Sequence, residues 1–297
     1  MTQVSTWDEL PASVRDEIAD RFGPITDVAA LPAGLTAGTS VRLGTQRGRL
    51  FVKALPAASP SAPLYQREAH VTPVLPGVVP SPALRWSGHH ADWVVLVFDH
   101  IEAARRVELG PGSPDAAAAV ELVQLLGEAL TPSPATNIPG VVDNVRFLTS
   151  RADRLLAARP GDLDGYAMYA AARKLLDEDA LKGGTLLHTD LHEGNLIAGP
   201  DRLHLVDWGL AAAGAAWVET ALFIPRLILA GHTPEQAERL ASRIPVWSSA
   251  PPEAVNGLAA AWTLFRECVA RHGPAPIRSS RARAAAAGRT WLEYRMA

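Results

Sequence analysis

Residues 185–209 read TLLHTDLHEGNLIAGPDRLHLVDWG, and the way this stretch must close decides the rest. Asp190 stands two positions after His188, Asn195 five after Asp190, and Asp207 ends an apolar run just before Trp208-Gly209. The pattern is H-x-D-x-x-x-x-N followed by D-W-G. Leu196-Ile197 is a short apolar segment, Gly199-Pro200-Asp201 is a turn signal, and Leu203, Leu205 and Val206 return on the far side. That arrangement predicts a β-hairpin centred on Asp201. The hairpin sets Asn195 nearly opposite Asp207 at its open end, with Asp190 on the loop leading in. A carboxylate and an amide oxygen are hard ligands, and a small set of them suits Mg²⁺, which completes its octahedron with water and phosphate. The stretch is expected to serve a magnesium nucleotide.

Each residue is common in turns on its own; their joint order and spacing is not explained that way. Together they resemble the aminoglycoside phosphotransferase and choline kinase group of the protein-kinase-like fold. The resemblance implies that Asp190 is a catalytic base and that Asn195 and Asp207 are metal ligands, the roles of the catalytic-loop and DFG residues in protein kinases. It also implies an α+β, bilobal architecture: an N-terminal lobe of antiparallel sheet with a helix, and a larger, mainly helical C-terminal lobe. Residues 210–223, with Gly214, Trp217 and Glu219, resemble the segment that follows the metal aspartate, with Glu219 where the family commonly carries Asp.

Upstream, residues 25–55 read as short antiparallel strands separated by Gly and Thr, the last being Arg49-Leu50-Phe51-Val52-Lys53-Ala54-Leu55. Lys53 is one of only three lysines, with Lys174 and Lys182, and it ends an apolar strand where a buried charge requires an anionic partner. Residues 65–70 read as a helix whose Glu68 is the natural counter-ion. By the resemblance, this lysine–glutamate pair holds the α- and β-phosphates of ATP or GTP. Gly34 and Thr36 lie in a flexible loop, residues 34–40, whose amides and hydroxyls are suited to approach phosphate. That loop is neither the G-x-G-x-x-G of protein kinases nor a Walker A sequence. The apolar run 94–98 followed by Asp99-His100-Ile101 resembles the strand and hinge between kinase lobes, which places adenine against the backbone from Phe98 to His100. The lobes are accordingly expected at 1–98, binding nucleotide, and 99–297, carrying catalysis and substrate.

The remainder of the chain is read as scaffold. Thr6-Trp7-Asp8-Glu9 has capping-box form, and Pro11 opens a helix carrying Val14, Ile18 and Phe22 before Gly23, expected to cover a sheet edge. His89-His90-Ala91-Asp92 is a hairpin tip. Helices are expected over 115–130, 143–158 and 165–181, and again between the Pro-rich breaks at 248–253 and 273–276.

Composition bounds the function. With 297 residues, 48% of them hydrophobic, the chain can bury a large core. A net charge of -3 without basic runs gives no reason to expect nucleic acid as a partner. Cys268 is the only cysteine, so no internal disulfide forms, and it is read as a small helix core residue. The first residues carry neither a basic start nor an apolar stretch, and no apolar run is long enough to span a bilayer; a cytoplasmic protein with no membrane contact is expected.

The expected reaction is transfer of a γ-phosphoryl group from a Mg²⁺ nucleotide to a hydroxyl of a small molecule. His188 is read as structural. From Ala211 onward arginines outnumber carboxylates 10 to 6, whereas a polycationic aminoglycoside calls for concentrated carboxylates. Glu102, Glu108 and Asp177-Glu178-Asp179 are the acids available elsewhere. A neutral or mildly charged metabolite, sugar or natural product is the expected acceptor, with an aminoglycoside antibiotic, and hence resistance, left open. No A-P-E segment follows Asp207, which disfavours a protein acceptor. The competing class is a catalytically silent nucleotide-binding regulator of the same fold, although Lys53, Asp190, Asn195 and Asp207 are all present.

Overall fold

The structure, a computed structural model, describes residues 6–31 and 38–297. The chain opens with a 3-10 turn, Trp7–Glu9, closed by the Thr6/Glu9 capping box, and helix α1 (Ala12–Phe22) starts separately behind Pro11. Strands β1 (Ile25–Ala30), β2 (Thr39–Thr45) and β3 (Gly48–Pro56) follow, then helix α2 (Ala62–Val71) and strands β4 (Leu84–His90) and β5 (Trp93–Asp99). These five strands form one antiparallel sheet in the order β1-β2-β3-β5-β4.

Alternation along β3 sorts its side chains between two faces. Leu50, Val52 and Ala54 join Val41, Leu43, Val95 and Val97 beneath Leu10, Val14 and Ile18 of the α1 region. The first helix therefore covers a sheet face rather than the edge its amphipathicity alone suggested. On the opposite face Leu55, Leu96 and Phe98 pack against Ala62 and Tyr65 of α2, and Lys53, two residues from Leu55, points the same way. The hairpin tip expected over His89-His90-Ala91-Asp92 narrows to two residues, because His89 and His90 pair with Val94 and Trp93 as the end of β4, and Ala91 and Asp92 both take positive φ (46° and 60°) as a primed hairpin turn demands.

The helical lobe contains β6 (Arg105–Arg106), α3 (Pro114–Ala129), α4 (Val141–Ala158), α5 (Tyr166–Lys174), β7 (Thr185–Leu187), β8 (Leu196–Ala198), β9 (Leu203–Leu205), a 3-10 turn (Trp208–Leu210) and β10 (Ala212–Gly214). Helices α6 (Trp217–Leu229), α7 (Pro234–Ala241), α8 (Pro252–His272) and α9 (Ala275–Met296) complete it. Helix α5 stops seven residues short of the end expected from its pattern. Asp177 accepts the amide of Asp179 at 2.9 Å, a local turn that competes with helix, and the Leu181 carbonyl is taken by Ala215 N at 2.9 Å. One large core fills this lobe and includes Trp208, Trp217, Trp262 and Trp291, with Cys268 partly buried against it. Among the described residues no helix is long and apolar enough to cross a membrane.

Candidate active site

The hairpin forms as its sequence predicts: Leu196 pairs with Leu205 and Ala198 with Leu203, closed by Gly199 N donating to Arg202 O at 2.9 Å. The ladder continues through Val206 N to Asn195 O at 3.0 Å, so Asn195 and Asp207 emerge together at the open end. Asp207 sits at φ 70°, a left-handed conformation that Asp tolerates better than most residues, and caps the turn Trp208–Leu210. Gly209 sits tight against α2: a Cβ there would lie 3.1 Å from Leu64 O, so a side chain would push the two apart by a few tenths of an ångström. The Asp207 loop is thereby pressed onto the helix that carries Glu68.

Lys53 Nζ lies 2.5 Å from Glu68 Oε2 and 3.0 Å from Asp207 Oδ1, and stands 4.7 Å from the Tyr65 ring centroid. Burial by itself would lower the ammonium pKa, but Glu68 and Asp207 outweigh it and hold Lys53 charged above its ordinary value. The Asn195 side-chain NH₂ donates to Asp190 O at 2.9 Å, which fixes the amide of a residue that shares a cavity lining with Asp207. Lys53, Glu68, Asn195 and Asp207 line one cavity of about 370 Å³, walled by Phe51, Phe98, His100 and Ile101. The amides of Asp99 and His100 already donate to Ala83 O (3.0 Å) and Arg49 O (3.3 Å), so a base entering here must use other hinge groups. Gly34 and Thr36 lie outside the described residues.

Asp190 is placed beside this cavity rather than in its lining. Its carboxylate accepts from Arg226 Nη2 at 3.2 Å and lies 3.5 Å from His192 Nε2. Burial pushes the Asp190 carboxyl up, yet His192, Arg226 and Arg266 together hold it at about 2. His188 is fully buried, bonds Val206 O through Nε2 at 2.9 Å and meets the Trp208 ring edge-on, the structural part expected of it.

Asn144 and Arg226 escaped the sequence as site participants, and Glu219, named there only by resemblance and without a role, gains one. Glu219 accepts the amides of His188 (2.6 Å) and Thr189 (3.0 Å), bracing the loop that presents Asp190; burial pushes its carboxyl up while His188 and these amides pull it back. Asn144 of α4 donates to Thr189 Oγ1 (3.2 Å) and Leu210 O (2.8 Å), tying the Asp190 loop to the Asp207 loop. Arg226 carried one visible sign, a lone charge inside the apolar run of α6; Asn144 carried none.

The profile of the phosphotransferase enzyme family matches residues 27–252. No curated protein sequence matches significantly. Among solved structures, choline kinase LicA from Streptococcus pneumoniae superposes with TM-score 0.64 at 16% identity, covering 95% of this chain and 98% of that one. A ternary complex of a thermostable aminoglycoside phosphotransferase APH(4)-Ia with AMP-PNP and hygromycin B gives 0.62 at 14%, covering 94% and 99%. Spectinomycin phosphotransferase APH(9)-Ia with ADP and spectinomycin gives 0.58 at 10%, covering 96% and 94%. Identities this low establish a shared fold.

Proposed function

The chain belongs to the phosphotransferase enzyme family, and on that footing we propose that it transfers the γ-phosphoryl group of Mg–ATP, or of Mg–GTP, to a hydroxyl of a small molecule. The observation that carries the reading is the convergence of Lys53, Asn195 and Asp207 on one cavity whose edge is tied by Asn195 to the Asp190 backbone. The neighbours' complexes with AMP-PNP or ADP support nucleotide use. Residues 1–98 then supply the nucleotide lobe and residues 99–297 the metal ligands, base and acceptor site.

Asn195 and Asp207 fit a magnesium ion in donor chemistry, two hard-oxygen side chains in the lining of a cavity of about 370 Å³. Among the described residues no group of three His, Cys, Asp or Glu side chains gathers to cage a metal, which suits an ion that arrives with its nucleotide. When bound, the ion offsets charge on the phosphates. Lys53, kept charged by Glu68, is positioned to grip the α- and β-phosphates. Phe51, Phe98 and Ile101 offer an apolar wall for the base, which bonds hinge backbone groups other than the engaged Asp99 and His100 amides.

Asp190 orients the acceptor hydroxyl. As the acceptor oxygen bonds to the γ-phosphorus and the bond to the β-phosphate oxygen breaks, the hydroxyl proton passes to Asp190 and the nucleoside diphosphate leaves. A carboxylate held at about 2 is a weak base, so orientation is its first contribution and proton transfer comes late, as a loose phosphoryl-transfer transition state permits. The test is transfer from γ-labelled ATP with Mg²⁺ across hydroxylated metabolites, sugars, amino alcohols and aminoglycosides, with Asp190→Ala as control. Labelled product that disappears in the variant is expected; nucleotide binding with no Asp190-dependent transfer across the panel would favour the silent regulator.

A further inference from the structure

Most of the arginine excess after Ala211 is spent locally. Arg239, Arg243, Arg271, Arg289 and Arg295 each reach a carboxylate within 4.0 Å. Arg278 and Arg283 are exposed and donate to Gly273 O and Ser279 Oγ. Three of the five acids named for a cationic acceptor are spent too: Glu102 pairs with Arg49, Glu178 with Arg146 and Asp179 with Lys182. What remain are three cations from three helices, Arg226, Arg266 and Arg281, the first two of which act on Asp190.

Arg226 (α6) and Arg266 (α8) meet at one indole, their guanidinium carbons 5.3 and 4.6 Å from the Trp262 ring centroid; Arg266 is also 5.1 Å from that of Phe265. Arg226 has Asp190 as its partner. Arg266 is only 8% exposed, has no hydrogen-bond or ion-pair partner among the described residues, and its Nε is buried without an acceptor. Arg281 (α9), half-buried, is near enough to repel both and likewise lacks a partner among the described residues. The acids acting on the group are Asp190 and, on Arg226, the exposed Glu193. Aromatic faces offset part of the cost of burying a guanidinium but supply no acceptor for its N–H groups. An anion arriving with the acceptor would supply one, bidentately.

Resting on the phosphotransferase reading, we propose that the acceptor is a hydroxylated anion, whose carboxylate or phosphate docks on Arg266 and Arg281 while its hydroxyl lies against Asp190. Arg226 holds Asp190 in place and adds to the positive field. A polycationic acceptor would meet three guanidiniums at this point, and a neutral polyol would leave Arg266 unpaired.

The test uses the full-length protein saturated with Mg–AMP-PNP, so that the nucleotide's phosphate positions are filled before any anion is added. A matched set is titrated by calorimetry: glycerate, glycerol 3-phosphate, glycerol and 3-aminopropane-1,2-diol. At least one anion is expected to bind at least tenfold more tightly than glycerol or the amino diol, and the tighter of the two anions identifies carboxylate or phosphate as the group recognised. Arg281→Gln and Arg266→Met are each expected to weaken that binding at least tenfold. With Mg–ATP the loss is expected chiefly in KM. Anions bound no better than glycerol, preference for the amino diol, or anion binding that survives both substitutions overturns the proposal. If Arg266→Met does not fold, Arg281→Gln at its half-buried position decides alone. Failure to bind Mg–AMP-PNP overturns the phosphotransferase reading and this inference with it, whereas nucleotide binding without anion preference overturns this one only.

Discussion

Replacing Glu219 with Ala removes the acceptor for two backbone amides, His188 N at 2.6 Å and Thr189 N at 3.0 Å, in a region where His188 is fully buried and Glu219 is 4% exposed. Each stranded amide costs about 1–3 kcal/mol, and relief from burying a carboxylate whose Oε1 has no partner returns part of the loss. The net destabilisation expected is about 2–4 kcal/mol. Glu219→Gln keeps an acceptor oxygen without its charge and should lose about half as much, roughly 1–2 kcal/mol. Thr189 sits at φ 65°, a left-handed conformation that a β-branched residue holds only when its surroundings insist. Without the brace the loop relaxes and Asp190 shifts, and a displacement near ~1 Å costs about a hundredfold in kcat. Urea unfolding gives the stability from the midpoint at unchanged slope, and single-turnover transfer gives the rate. An Ala variant within about 0.5 kcal/mol of wild type, or one with undiminished kcat, would refute the reasoning.

Lys53→Met leaves Glu68 and Asp207 facing each other without their shared cation; it is expected to weaken nucleotide binding and to cost about 3–5 kcal/mol of stability, measured by AMP-PNP titration and urea unfolding. Asp190→Asn should retain nucleotide binding while transfer falls by about 10²–10⁴, and equal loss of both would contradict the assigned role. Since Asp190 is held at about 2, below its ordinary 3.8, it is ionised throughout about pH 4–9, and its ion pairing stabilises the fold above pH 3.8 and is lost as pH falls through about 2. The kcat/KM profile should therefore show no acid limb from Asp190 in that range; a limb near about pH 6 that moves in Arg226→Met would contradict this. Asn144→Ala, which cuts the tie between the Asp190 and Asp207 loops, should cost about 1 kcal/mol and lower kcat more than it raises nucleotide KM, as steady-state kinetics will report.

What the sequence determined by itself was local or nearly so. The hairpin between Leu196 and Leu205, the hairpin that turns near Ala91-Asp92, the strand bearing Lys53 and the helices α3, α4, α8 and α9 follow from periodicity and turn residues within each segment. Asn195 and Asp207 came together on paper because a single hairpin joins them, and Lys53 and Glu68 because a buried lysine needs a counter-ion. Where the pattern was silent or misled, a contact from elsewhere in the chain had intervened. Helix α5 ends early beside an Asx turn and a carbonyl taken by Ala215, and α1 lies on a face because Leu43 and Val52 outcompete the edge for its apolar side. Only the tertiary structure joined Asn144 to Thr189 and Leu210, Glu219 to the His188 amide, and Arg226, Arg266 and Arg281 to one another. Periodicity tells which face of a helix is buried, but which buried side chains meet depends on how the helices cross, and that is set by the packing of the whole lobe.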